Sequence, residues 1–359
     1  MIEPFRIRVA AETIDELRAR LRSVRWPDGV TDSGGVPLAS MRELARYWAE
    51  EFDWFAREAS LNELPHFRAT VDGQRIHFLH LRAERADALP LLLLHGWPGS
   101  FVEFLGVAPR LAKSFHVVVP SLPGYGFSDP PREPGMSNRR IAALLASLMS
   151  SLGYERFAVQ GGDWGAGIAT WLARDGPSRV AALHLNYIPG SYEPFVDGAL
   201  TGEEVAFLRD RDSWSEQSGA YGHLQRTRPL TLAYALSDSP IGLAAWIVEK
   251  FEEWADPRSA LSRDELLTNV TIYWITNTIG SSVRLYLESS RTPHRFERGE
   301  RVRVPCAIAH FPHEAPFPPR AWIERAYDVV RWTEMPRGGH FAAIEEPELL
   351  AGDVEGFLR

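Results

Sequence analysis

Apolar residues near the N-terminus recur at the spacing of amphipathic helices. Ile14, Leu17, Leu21 and Val24 recur at helical spacing and form the first apolar stripe. Thr13 followed by Glu16 predicts a capping box at the start of that helix. A second helix is predicted to carry five apolar residues on one face: Met41, Leu44, Trp48, Phe52 and Phe55. This segment is therefore predicted to be helical and rich in tryptophan.

The pattern then changes to short apolar runs that are typical of β-strands. Runs at 67–71 and 75–81 are joined by Asp72-Gly73, a turn signal of β-hairpins. Further along, such runs alternate with helix-sized segments, which predicts β-α-β units and a parallel sheet. The runs of this second set are 91–94, 117–120, 157–160, 304–309 and 329–333.

Between about residues 190 and 290 the strand signals fade, and helical patterns with tryptophan and tyrosine replace them. We therefore predict an inserted helical cap at 191–290. The α/β core is predicted at 89–190 and 291–359, and an N-terminal helical and meander extension at 1–88.

Composition and charge limit the kinds of partner and metal site that the protein is expected to have. The chain has 359 residues and a formal net charge of -8, so no basic surface for nucleic acid or anionic lipid is expected. The single cysteine, Cys306, excludes an internal disulfide, and no Cys/His spacing typical of zinc is present. No run approaches the length of a membrane span, and no secretion signal is visible. We expect a soluble, cytoplasmic protein, and homo-oligomerisation stays open.

One glycine-rich stretch has the context of a catalytic turn. Gly161-Gly162-Asp163-Trp164-Gly165 follows a predicted strand and precedes a small-residue helix start. This is the setting of the G-x-S-x-G elbow of the α/β-hydrolase fold, with aspartate in the nucleophile position. An aspartate that only caps a helix would explain the stretch in isolation, so the choice depends on partners elsewhere in the chain.

Partners of the right kind follow other predicted strands. His95-Gly96-Trp97-Pro98 comes after the first core strand, where this fold builds an oxyanion hole, and the backbone N–H groups of Trp97 and Trp164 are the predicted donors. His340, preceded by two glycines, follows the last strand and is the predicted base. The acid is predicted to be Glu314, with Asp328 as the alternative.

No metal or cofactor is implied by the remaining polar motifs. His310 and His313 do not form the helical H-E-x-x-H zinc pattern, and Pro312 between them disfavours a helix. The Gly124-Tyr125-Gly126 stretch lacks the third glycine of a dinucleotide fingerprint.

An aspartate nucleophile predicts the kind of carbon that is attacked. A carboxylate that attacks an sp3 carbon forms an ester, which His340 can clear by activating water. An epoxide or a carbon–halogen bond is therefore expected, and an epoxide also needs a proton donor such as a tyrosine phenol. The residues alone leave five tyrosines of the cap region open: Tyr192, Tyr221, Tyr234, Tyr273 and Tyr286.

These motifs resemble the microsomal and juvenile-hormone type epoxide hydrolases and their bacterial relatives. The resemblance covers nearly the whole chain and includes three catalytic stretches and a cap stretch: 95–98, 161–165, 338–348 and 266–270. It implies Asp163 as nucleophile, Glu314 as acid and His340 as base. It also implies Tyr221 and Tyr286 as the ring-opening pair, a small apolar epoxide and water as substrates, and no cofactor.

Two other functions remain open at this point. A haloalkane dehalogenase would use the same aspartate, with the Trp164 indole holding halide, and it would release halide without forming a diol. A hydrolase-fold protein that binds without turnover is the second alternative. It would be supported if replacing Asp163 changed no measurable property.

Overall fold

A single mixed β-sheet organises the chain in the computed structural model, which describes residues 2–28, 34–259, 261–314 and 316–359. Its strand order is β1-β2-β3-β5-β4-β6-β7-β8-β9. The meander β1-β2-β3 is antiparallel and β3 pairs antiparallel with β5, whereas the remaining pairs are parallel. The strands are β1 Ile2–Pro4, β2 His66–Val71, β3 Gln74–Leu81, β4 Pro90–Leu94, β5 His116–Pro120, β6 Phe157–Gly161, β7 Val180–Leu185, β8 Val302–His310 and β9 Tyr327–Glu334.

Helices form the N-terminal extension, flank the sheet and build the cap. Those outside the cap are α1 Ala11–Arg22, α2 Leu38–Glu50, α3 Trp54–Leu61, α4 Ala108–Leu111, α5 Asn138–Ser151, α6 Asp163–Asp175, α13 Arg320–Glu324, α14 Ala342–Glu345 and α15 Pro347–Leu358. Those between β7 and β8 are α7 Gly202–Ser218, α8 Ala220–Thr227, α9 Pro229–Asp238, α10 Pro240–Trp254, α11 Arg263–Thr276 and α12 Ile279–Ser289.

The central strands read as continuous apolar runs because both of their faces are covered. All five residues of β5 and four of the five residues of β4 are buried, as expected for parallel strands with helices on both sides. Such strands direct their carboxyl ends toward one edge of the sheet, where open α/β sheets bind ligands. The segments after β4, β6, β8 and β9 carry the predicted triad and oxyanion-hole residues to that edge, whereas Tyr221 and Tyr286 lie on the cap helices α8 and α12.

Side-chain hydrogen bonds and one ion pair connect the N-terminal extension to the cap. The buried indole N–H of Trp48 in α2 donates to Thr271 Oγ1 in α11 over 2.9 Å. The Tyr47 hydroxyl donates to Asp264 Oδ1 over 2.8 Å, and Arg57 pairs with the same carboxylate. The extension therefore holds α11 against the core from outside.

The structure confirms the seven predicted strand runs and corrects the N-terminal helices. Helix α1 begins at Ala11 with Ala10 as N-cap, so the predicted Thr13 capping box is wrong. The predicted second helix is two helices, because the Asp53 side chain accepts from the N–H groups of Phe55 and Ala56 and starts α3 there. Phe55 is consequently exposed. Strands β1 and β7 were not predicted from the pattern.

The helices described above differ from a membrane span in length or in apolarity. Among the residues that the structure describes, no single helix is long and apolar enough to cross a membrane. Helices α9 and α10 reach that length and apolarity only when taken together, across a bend of 117°.

Candidate active site

The turn between β6 and α6 places Asp163 in a strained backbone conformation. Its φ of 46° lies in the left-handed region, which residues with a Cβ rarely adopt. A Cβ on Gly161 would lie 2.5 Å from the carbonyl oxygen of Gly165, and a Cβ on Gly165 would overlap the carbonyl of Leu94. The two glycines therefore allow α6 to approach β4 and β6 closely, which is how the predicted elbow is built.

The Asp163 carboxylate is held between two partners. The backbone N–H of Trp97, in the loop after β4, donates to Oδ1 over 2.7 Å. Oδ2 lies 3.4 Å from Nε2 of His340. A Cβ on Gly96 would overlap the Asp163 carboxylate, so glycine at this position gives the carboxylate its room. The two carboxylate oxygens thus have different surroundings.

The second predicted oxyanion donor, Trp164, lies in the first turn of α6. Backbone N–H groups in the first turn of a helix have no intrahelical acceptor, and the helix dipole favours negative charge there. The Trp164 indole contacts the Tyr286 ring edge-on at a centroid distance of 4.7 Å. Its Nε1 is buried without a hydrogen-bond partner among the described residues.

His340 lies in the loop between β9 and α14, beside Glu314. The Nδ1 atom of His340 is 2.8 Å from Oε2 of Glu314. Because a carboxylate only accepts, Nδ1 carries the proton and Nε2 faces Asp163. Burial alone would lower the pKa of His340, but the charge of Glu314, together with the charge of Asp163 and hydrogen bonds to both carboxylates, raises this pKa well above its usual value. Asp328 is an exposed residue of β9, and Glu314 is the acid that contacts the imidazole.

Of the five tyrosines, Tyr221 in α8 and Tyr286 in α12 border the space above Asp163. The Tyr221 ring stacks on Trp97 at 5.6 Å between centroids, and the two tyrosine rings are 6.1 Å apart. Burial raises the pKa of Tyr221, and the charge of Asp163 raises it further; the pKa of Tyr286 is raised well above its usual value by burial and then by Tyr221 and Asp163. Both phenols are therefore protonated at neutral pH.

The other three tyrosines have different surroundings. Tyr192 donates its hydroxyl hydrogen bonds to the carbonyls of Trp322 and Ile323. Tyr273 donates to the carbonyl of Gly99, and Tyr234 is 71% exposed on the surface of the cap. Their placement leaves Tyr221 and Tyr286 beside the nucleophile.

Two large cavities under the cap border the nucleophile. One of about 650 Å³ extends toward His340 and Glu314, and one of about 780 Å³ extends toward Trp164 and Tyr286. Both are lined by a common set of residues: Asp163, Tyr187, Pro189, Gly190, Trp214, Ser215 and Tyr221. Four residues of this shared set are aromatic or proline and can contact apolar substituents beside the reacting carbon. Farther from the nucleophile the linings also contain charged side chains, among them Arg211 in one cavity and Arg226 in the other.

Sequence reasoning assigned no role to Glu345, which organises the loop around His340. Its carboxylate accepts from the N–H groups of Gly339 and Phe341, at 3.0 and 2.8 Å, on either side of the histidine. It also accepts from Asp256 N and Ser259 Oγ after the cap helix α10, at 2.8 and 2.7 Å. The only sequence signal was its place in the 338–348 stretch of the resemblance.

Among the residues that the structure describes, no cluster of three or more His, Cys, Asp or Glu side chains is arranged to hold a metal ion. The acid–base groups of the site are instead paired with one another.

Comparison with known proteins agrees with this architecture. Residues 2–104 match the family described as "Epoxide hydrolase N terminus", and residues 89–347 match the "alpha/beta hydrolase fold" family. A protein of Stigmatella aurantiaca named "Putative epoxide hydrolase" is 43% identical, over 100% of this chain and 85% of its own length. "Epoxide hydrolase 1" of Oryctolagus cuniculus is 37% identical, over 99% of this chain and 88% of its own length.

Solved structures show the same likeness over the whole chain. The epoxide hydrolase of Aspergillus niger superposes with a TM-score of 0.89 at 32% identity, covering 100% of this chain and 96% of that one. The juvenile hormone epoxide hydrolase of Bombyx mori gives a TM-score of 0.85 at 33% identity, covering 99% and 93%. The chain therefore belongs to the epoxide hydrolase family and has the α/β-hydrolase fold.

Proposed function

We propose that Asp163 opens an epoxide by attacking a ring carbon and forming a covalent ester, which water then cleaves to a vicinal diol. The observation that carries this proposal is the meeting of one carboxylate and two protonated phenols at a common cavity: Asp163, Tyr221 and Tyr286 all line the space under the cap. A carboxylate supplies the nucleophile, and the phenols supply the proton that the ring oxygen needs.

The surroundings of the carboxylate favour Oδ2 as the attacking atom. Oδ1 already accepts the Trp97 N–H, so it stays as the carbonyl oxygen of the ester. When water adds to that ester, the negative charge develops on Oδ1. The N–H groups of Trp97 and Trp164 would then stabilise the oxyanion.

Proton transfer is balanced across the two half-reactions. Ring opening transfers one proton from a tyrosine phenol to the epoxide oxygen. Hydrolysis of the ester by water regenerates the Asp163 carboxylate and releases one proton, which restores the phenol. Ester formation also removes the Asp163 charge, which is one of the causes that raise the pKa of His340. The imidazole is therefore easier to deprotonate in the ester than in the free enzyme, so its Nε2 can accept a proton from water. Glu314 keeps the ring oriented throughout.

The test is product analysis with styrene oxide and with a haloalkane of similar size, for the wild type and Asp163→Ala. Diol from styrene oxide with the wild type alone is the expected result. Halide release without diol would instead support a dehalogenase, in which the Trp164 indole N–H holds the halide. Binding of styrene oxide with no turnover in either protein would support a binding function.

Two predictions about the whole protein remain with this proposal. Cytoplasmic localisation and homo-oligomerisation stay predictions, and size-exclusion chromatography with light scattering measures the second. The physiological epoxide is proposed to carry an apolar group next to the ring, because Tyr187, Trp214 and Tyr221 line both large cavities.

A further inference from the structure

The cap contacts the loop of the catalytic base where the chain leaves helix α10. We call residues 254–258 the cap anchor. The backbone N–H of His340 donates to the Trp254 carbonyl over 3.0 Å, and the Trp254 ring meets the imidazole edge-on at 5.1 Å between centroids. A Cβ on Gly339 would lie 2.6 Å from the Trp254 carbonyl oxygen. Glycine before the histidine therefore allows the cap anchor to approach the base loop closely.

Asp256 in the cap anchor has a carboxylate that is buried and ionised. Its side chain is 1% exposed, and the Arg258 guanidinium binds both carboxylate oxygens at distances of 2.7, 3.0 and 3.1 Å. The hydrogen bonds from that guanidinium, and then those from the backbone N–H groups of Gly338 and Arg258, hold the pKa of Asp256 well below its usual range, although burial opposes them. A buried charge is costly when a partner is missing, so Asp256 favours the arrangement that keeps all of its partners in place.

The Asp256 carboxylate joins the loops that carry the acid and the base. The N–H of Gly338, two residues before His340, donates to Oδ2 over 2.9 Å. The Nε2 atom of His313, the residue before Glu314, lies 3.2 Å from Oδ1. The two loops also contact each other, since the His313 N–H donates to the Gly338 carbonyl over 3.1 Å. One carboxylate of the cap anchor thus fixes the spacing between the two segments that form the Glu314–His340 pair.

We propose that Asp256 is a positioning residue that holds Glu314 and His340 in register for hydrolysis of the ester. The inference rests on the proposed function. Ester formation uses Asp163 and the two cap tyrosines, and none of these groups lies on the loops that Asp256 joins. Ester hydrolysis uses the imidazole and its acid, whose contact of 2.8 Å depends on both loops. A misplacement of about 1 Å costs up to about a hundredfold in rate, so Asp256 controls the second half-reaction and not the first.

Asp256→Asn keeps the size of the side chain but removes its charge and one acceptor oxygen. We expect ester decay to slow by about ten- to a hundredfold, while ester formation stays within about twofold of the wild-type rate. Rapid quenching with intact-protein mass spectrometry, using styrene oxide, measures both rates. In the steady state the ester accumulates, so kcat and KM fall together. A merely structural defect would reduce the fraction of active protein, which lowers kcat and leaves KM unchanged.

The Arg258 side chain, which is 59% exposed, gives a second test without a buried substitution. Arg258→Gln removes the guanidinium and leaves the Gly338 hydrogen bond, so we expect ester decay to slow by about three- to tenfold. Arg258→Lys keeps a cation beside the carboxylate and should restore most of the wild-type rate. Glu252→Gln, an exposed change in the last turn of α10, is the control and should change neither half-reaction.

The outcomes separate this inference from the function on which it rests. Ester decay at the wild-type rate in both Asp256→Asn and Arg258→Gln would overturn the positioning role and leave the ester mechanism intact. Equal slowing of both half-reactions in Asp256→Asn would also overturn it, because Asp256 would then only support the fold. Absence of any ester in the wild type would contradict the proposed function itself. If Asp256→Asn does not fold, slower ester decay in Arg258→Gln than in Arg258→Lys supports the role, and wild-type decay in both overturns it.

Discussion

The Nδ1 atom of His340 and the Oε2 atom of Glu314 are 2.8 Å apart, and both side chains are almost completely buried. This pairing fixes the tautomer that leaves Nε2 facing the Asp163 carboxylate. The carboxylate also supports the positive charge that the imidazole acquires when it takes a proton from water.

Glu314→Gln is expected to lower turnover by about two orders of magnitude or more, because the neutral amide stabilises the imidazolium less. The measurement is the steady-state rate of diol formation over a range of pH. Asp328→Asn, at the alternative acid of the sequence analysis, is the matched control and should keep wild-type turnover. A larger loss in Asp328→Asn than in Glu314→Gln would contradict this assignment.

Tyr221→Phe and Tyr286→Phe are each expected to slow ester formation by about ten- to a hundredfold, and the double variant should be slower still. The reason is that each phenol donates to the same ring oxygen, so one can partly replace the other. Single-turnover mass spectrometry follows the step directly. Tyr234→Phe, at the exposed tyrosine of the cap, serves as the control. Ester formation at the wild-type rate in the double variant would exclude these phenols as the proton source.

Glu345→Gln is expected to reduce both stability and turnover. The Gln side-chain amide has one oxygen and cannot accept the four hydrogen bonds that the carboxylate receives from Gly339, Phe341, Asp256 and Ser259. Leaving one or two buried donors unpaired costs about 1–3 kcal/mol each in the free energy of unfolding. Urea denaturation measures the loss. Glu348→Gln, three residues away and exposed, should change the free energy of unfolding much less; equal effects would argue against the role of Glu345.

A buried histidine pair predicts how stability depends on pH. His77 Nδ1 lies 2.8 Å from Ser121 Oγ, and His77 Nε2 lies 2.8 Å from His66 Nδ1. His66 Nε2 then lies 2.7 Å from the Leu61 carbonyl. If each of these three hydrogen bonds contains one proton, both imidazole rings are neutral. Burial lowers the pKa of both histidines, which favours this neutral state.

The unfolded chain, with histidine pKa near 6.5, therefore binds protons that the folded protein does not. The free energy of unfolding should fall as the pH drops below about 6.5, by up to about 1.4 kcal/mol per pH unit for each ring, until the pH reaches the lowered values. Urea denaturation between pH 7.5 and 5 measures this slope. His77→Gln should show a shallower slope than the wild type, and an identical slope would contradict the account.

The sequence predicted the catalytic stretches because local glycine patterns mark them. Gly161 and Gly165 are needed for the close approach of α6 to β4, and that need is visible in the motif itself. Strand β7 was missed because two of the four residues in its apolar run at 180–183 are alanines, which are depleted in strands, and His184 follows them. Among the five tyrosines, periodicity could not select Tyr221 and Tyr286, because their position depends on how α8 and α12 pack together.

The supporting residues were missed for a related reason. Glu345 acts through contacts with a segment far away in the chain, because it accepts hydrogen bonds from Asp256 and Ser259. A single glutamate in a sequence carries no signal of such contacts. They become visible only when the folded chain brings the loop around His340 against the end of α10.

The covalent ester on Asp163 is the central claim, and the most direct measurement is the intact mass of His340→Gln after mixing with styrene oxide. The account predicts a mass increase equal to the mass of one styrene oxide molecule, because the ester forms but loses the base that activates water. The increase should be absent when Asp163→Asn is added to the same protein. Normal turnover by His340→Gln, or an adduct that persists without the Asp163 carboxylate, would contradict it.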